Sequence, residues 1–64
     1  MCDISERLRD ARHKAKLSQK QVAEQINLER STYAYYETGR TVPNISNLLK
    51  LSKVLRVDLN YLVS

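Results

Sequence analysis

Between Gln19 and Tyr36 the chain reads QKQVAEQINLERSTYAYY, and this stretch limits the fold more than any other. Val22, Ala23 and Ile26 share one side of a helical run. The pattern is cut at Asn27 and resumes afterwards. Asparagine, after glycine, best tolerates the left-handed backbone conformation that a sharp helical corner needs. Two short helices meeting at a tight angle are therefore expected, with Ala23 small enough to let the second approach the first. Tyr33 and Tyr36, three apart on the second helix, turn their rings into the space between helices. Tyr35 lies about 100 degrees round the helix from Tyr36, on the outward side with Arg30, Ser31 and Ala34.

The remaining sequence supplies more helices and no strand pattern. One glycine, one proline, no Phe or Trp, and abundant Leu, Lys, Arg, Gln and Glu favour an all-α chain. Ile4, Leu8, Ala11 and Ala15 recur at helical spacing, with Asp3 or Ser5 available as a cap and Arg7, Arg9, Arg12, His13 and Lys14 on a solvated face. Ser18 is a natural cap for the next helix, and Gly39 a left-handed stop for the third. After Pro43, the run NISNLLKLSKVL puts Ile45, Leu48, Leu49, Ser52 and Leu55 on one stripe. Asp58 caps a last short helix. Five helices at about 4–15, 19–26, 30–37, 44–55 and 58–63 result, in one domain spanning residues 1–64.

Several function classes are excluded. A lone Cys2 and a lone His13 permit neither a disulfide nor a zinc site, so no metal or cofactor is expected; a free thiol suits a reducing cytoplasm. No apolar run approaches the roughly 20 residues a membrane span requires. There is no Cys and His pair for nucleophilic work, no Gly-rich phosphate loop, and too little chain to enclose a water-excluding pocket for a small-molecule substrate. The formal charge of +4, from 11 Lys and Arg against seven Asp and Glu, favours a polyanion. Two helices at a tight corner are what a helix-turn-helix requires to present its second helix to a major groove of DNA.

The motifs LSQKQVAEQ, STYAYYETGR and LLKLSKVLRVDLNYL together resemble the Xre and Cro family of phage and bacterial repressors, over nearly the whole chain. The resemblance implies a compact five-helix, lambda-repressor-like bundle that binds operator DNA, usually as a homodimer, and regulates transcription, with repression the expected effect. By position it implies phosphate contacts from Ser18, Gln19, Thr32, Thr38 and Arg40, with Gln19 also bracing a recognition side chain. Glu29, Arg30, Ser31 and Tyr35 match base-facing places, and Arg12 and Glu37 match a structural ion pair. Asn27 stands where the family often has glycine. Glu29 can accept a hydrogen bond from cytosine N4 or simply partner the helix dipole. Arg30 is the residue suited to a bidentate contact with guanine.

The tail VDLNYLVS, with Val57, Leu59, Tyr61, Leu62 and Val63, holds more apolar surface than so small a bundle readily buries. It either forms part of a two-fold dimer surface or closes the core. An alternative to DNA binding is a helical protein-interaction module that uses the same bundle to hold a partner helix. Salt separates the two, because counterion release makes only the DNA complex steeply salt-dependent.

Overall fold

The computed structural model describes residues 4–63. Cys2 and Asp3, named above as a free thiol and a possible cap, lie outside them. Five helices follow in order: α1 Ile4–Lys14, α2 Gln19–Gln25, α3 Arg30–Thr38, α4 Ile45–Leu55 and α5 Leu59–Val63. Each begins and ends within a residue or so of its expected bounds.

The boundaries have local causes. Ser18 Oγ accepts the Gln21 N–H at 3.0 Å while Gln21 Oε1 accepts the Ser18 N–H at 2.8 Å, a complete capping box that starts α2. Asn27, at φ 63, turns the chain out of α2, and the Leu28 N–H then closes on Ala23 O at 2.8 Å. Gly39 ends α3 at φ 80. Asn44 Oδ1 accepts the Asn47 N–H at 2.8 Å to cap α4, and Asp58 Oδ1 receives the Asn60 N–H at 3.3 Å ahead of α5. Two further left-handed residues, Lys16 at φ 59 and Arg56 at φ 57, end helical segments where no glycine or asparagine marks them.

All five helices contribute to one core. Leu8, Val22, Tyr33, Leu51 and Leu62 are its largest fully buried side chains, and burial of such a side chain stabilises by about 1.5–3 kcal/mol. Tyr33 meets Tyr36 edge to face, with centroids 6.2 Å apart. Tyr36 Oη accepts Asn47 Nδ2–H at 3.0 Å, joining α3 to α4. Arg7 is not merely solvated. Its guanidinium lies 4.8 Å from the centre of the Tyr61 ring and Nη1 donates to Tyr61 O at 2.9 Å, so α1 holds α5.

Two further expectations differ from the structure. The buried side of α4 is Leu48, Leu51 and Leu55, whereas Ile45 and Leu49 are 64% and 45% exposed. Leucines at 48, 49, 51 and 55 allow two overlapping helical stripes, and the packing of α4 between α2 and α5 selects the one through Leu51. Leu62, expected on a possible dimer surface, is fully buried, because it lies on the inward side of α5 and closes the core, which leaves Val63 exposed.

Candidate nucleic-acid interface

The corner at Asn27 sets α3 across α2 so that Tyr33, Tyr36 and Glu37 face inward. Arg30, Ser31 and Tyr35 are left exposed along the opposite side, with Glu29 just ahead of them and Thr32 and Ala34 half-buried at the margins. Glu29 is the N-cap residue of α3, yet its carboxylate makes no cap hydrogen bond. Its charge stays available both to the helix dipole and to a partner.

Arg30 is tethered to the neighbouring helix: its Nη1 donates to Gln19 Oε1 at 3.1 Å. Gln19 in turn donates from Nε2 to Glu37 Oε1 at 3.0 Å. Glu37 is held by Arg12, whose Nε donates to Oε2 at 2.6 Å and whose Nη2 donates to Oε1 at 3.3 Å. Arg12 also donates from Nη1 to Leu17 O at 2.9 Å and from Nη2 to His13 Nε2 at 3.1 Å, which pins the link between α1 and α2. A continuous polar chain therefore runs from α1 through the interior to the outer side of α3.

The electrostatics follow from that enclosure. Glu37 is only 3% exposed. Burial alone would raise its pKa, but hydrogen bonds from Arg12 and Gln19, with the Tyr33 hydroxyl close by, outweigh it and hold the carboxyl below its ordinary value. The Arg12 guanidinium is correspondingly raised, chiefly by its hydrogen bonds to Glu37. Tyr33 is pushed well above the usual phenol range, first by burial and then by the neighbouring carboxylate. Its hydroxyl sits beside the ion pair without closing a well-aligned hydrogen bond.

The expected phosphate-facing groups fall into three situations. Ser18 Oγ accepts the cap bond, which leaves its own proton free to donate outward. Thr38 has already committed its proton, donating to Tyr35 O at 3.1 Å, so in this rotamer it cannot donate to a phosphate. Arg40, just past the Gly39 stop, lies with its guanidinium 5.1 Å from the centre of the Tyr35 ring. That stack and the Gln19–Glu37 bond escaped the sequence reading. Neither is written in helical spacing, since each joins residues brought together only by the packed bundle.

Of the tail residues, Val57, Leu59 and Tyr61 are half-buried against the core and Val63 is exposed. Further exposed apolar side chains lie at Val42 (71%), Ile45 and Leu49, spaced three and four apart through the start of α4. A groove of about 760 Å³ opens between the ends of α1 and α4 and takes no residue from α3. Among the described residues no helix is long and apolar enough to cross a membrane, and no group of three or more His, Cys, Asp or Glu gathers around a common point.

Residues 8–62 match the protein family described as Helix-turn-helix. Similar proteins include the HTH-type transcriptional regulator ImmR of Bacillus subtilis, 37% identical over 60 residues that cover 94% of this chain and 47% of that protein. Another is the cryptic phage CTXphi transcriptional repressor RstR of Vibrio cholerae, 32% identical over 59 residues, covering 92% of this chain and 53% of that one. Among solved structures, the P22 c2 repressor in complex with a synthetic operator superposes with a TM-score of 0.90 at 32% identity, over 97% of this chain and 94% of that one. The chain spans about half the length of the curated relatives it matches.

Proposed function

The chain belongs to the helix-turn-helix family of transcriptional regulators that includes the Xre- and Cro-type repressors, and from that membership we propose that it binds double-stranded DNA sequence-specifically through the major groove, in the cytoplasm, and represses transcription from the bound site. The observation that carries this reading is Arg30: exposed at the leading turn of α3 and braced by Gln19. Arg30 takes a bidentate contact to guanine, and Glu29, Ser31 and Tyr35 contact neighbouring base pairs. Ser18, Gln19, Thr32 and Arg40 hold phosphates and set the orientation. Thr38 joins them only after its hydroxyl turns away from Tyr35 O. The P22 c2 repressor was solved on an operator, which supports the same docking.

A single unit reads few base pairs, so the functional species is a homodimer with recognition helices about 34 Å apart, one turn of DNA. The exposure of Val42, Ile45, Leu49 and Val63 supports an apolar surface between the two copies. Selection of bound sites from random duplexes, followed by titration of the selected site, tests the whole reading. Affinity falls steeply with salt. Arg30→Ala costs about 1–3 kcal/mol on the selected site and relaxes one base pair, whereas Arg40→Ala weakens all duplexes alike. Equal losses from both variants on specific and random DNA refute the assignment, and binding indifferent to salt favours a protein partner instead.

A further inference from the structure

Arg30 owes its tether to an amide that could in principle sit either way round. An ionised carboxylate only accepts hydrogen bonds, and a guanidinium only donates them. Gln19 lies between one of each, with Nε2 3.0 Å from Glu37 Oε1 and Oε1 3.1 Å from Arg30 Nη1. Turning the amide over would set oxygen against carboxylate and NH2 against guanidinium, so both contacts become repulsive together. Glu37 cannot swing away to relieve this. It is buried and gripped at both oxygens by Arg12.

We propose that Glu37, which touches no DNA, is a positioning residue for base recognition: it fixes the polarity of the Gln19 amide and thereby holds Arg30 ready to read its base. This rests on the DNA-binding reading above. The bond uses Nη1, and the Nε and Nη2 edge of the guanidinium has no other partner among the described residues, which leaves a planar pair of donors for guanine. An unbraced arginine must surrender its rotamer freedom on binding. Each such side chain costs about 0.5–1.5 kcal/mol when immobilised at an interface, equivalent to about a 2- to 13-fold change in affinity at 25 °C. Because only the correct base pair uses the braced geometry fully, that factor appears as discrimination at one position.

Glu37→Gln removes the one-way constraint, since the replacement amide can offer either its oxygen or its NH2 to Gln19. Dissociation constants are measured for the selected duplex and for every single base-pair change, with the unaltered protein, Glu37→Gln, Gln19→Ala and the two combined. Discrimination is expected to fall by about 2- to 13-fold at the base pair that Arg30→Ala relaxes, and to hold at the others. Glu37→Gln should add nothing once Gln19 is alanine. A purely structural role instead lowers affinity for all duplexes by one common factor and leaves every ratio intact, which overturns the proposal. Should Glu37→Gln not fold, Arg12→Gln with Glu37→Gln leaves no uncompensated buried charge and reads the same ratios. An unaltered protein that prefers no duplex over random DNA refutes DNA recognition itself, whereas intact preference that survives Glu37→Gln refutes only the positioning role.

Discussion

Replacing Arg12 by methionine tests how the interior of this bundle tolerates charge. The Arg12 side chain is 12% exposed and that of Glu37 3%, with 2.6 Å between Nε and Oε2. Without the guanidinium, Glu37 keeps only the Gln19 hydrogen bond and a poorly aligned tyrosine hydroxyl. Breaking such a pair from one side costs about 3–5 kcal/mol. The bond to Leu17 O is lost as well, at about 1 kcal/mol. At about 0.05–0.15 kcal/mol per residue, a chain of 64 residues has roughly 3–10 kcal/mol to lose. Arg12→Met should therefore remove most of the stability. Arg12→Met combined with Glu37→Met buries no charge, and its cost should shrink to about the 1 kcal/mol of the lost Leu17 O bond, because the half-exposed Gln19 amide can turn to water. Urea unfolding followed by far-ultraviolet circular dichroism at pH 7 measures both beside the unaltered protein. A single-variant loss below about 1 kcal/mol, or a double variant no more stable than Arg12→Met, refutes the reasoning.

Acid should act on the same pair. The Glu37 pKa lies below its ordinary 4.5 when folded, so the stabilisation is fully present above about 4.5 and is lost as pH falls through the lower folded value. Glu37→Gln should flatten that limb of a stability–pH curve, and an unchanged limb counts against the assignment. Arg56→Gly relieves about 1–2 kcal/mol of left-handed strain against about 0.4–1 kcal/mol of added unfolded-chain entropy. The net gain of up to about 1.6 kcal/mol should raise Tm by several degrees in a thermal melt; a lowered Tm shows that the Arg56 side chain contributes more than its strain. Ile45→Glu places a charge in the exposed apolar strip of α4. Sedimentation should show at least about a tenfold weaker dimer, which is 1.4 kcal/mol, with the helix content of the monomer unchanged; no shift moves the interface elsewhere.

The corner was legible because Asn27 is rare chemistry in a short, periodic stretch: few residues tolerate a left-handed backbone, and it falls where the apolar pattern breaks. Ser18 and Gly39 announced themselves in the same way. Lys16 and Arg56 did not, since the packed helices force a left-handed turn on residues that would not choose it. In α4 the density of leucine itself hid the answer. Ile45 and Leu49 fit one stripe as well as Leu51 fits another, and only the neighbouring helices distinguish them. For the interface, the outward position of Arg30, Ser31 and Tyr35 followed from the turn of α3. Of the bonds behind Arg30, Gln19 to Arg30 and Arg12 to Glu37 came only through the family resemblance, and Gln19 to Glu37, 18 residues apart, is encoded by no local pattern.

The clasp of Arg7 on Tyr61 also has a timing consequence. The two residues are separated by 54 positions, so at a synthesis rate of about 5–20 residues per second α1 is synthesised roughly 3–11 s before its partner exists. During that wait Leu8 can pack only against what α2, α3 and α4 supply, and the nascent bundle stays open on the side that α5 will cover. α5 is the last of the five helices to be made, and Arg7 and Leu8 gain that side of their packing only then.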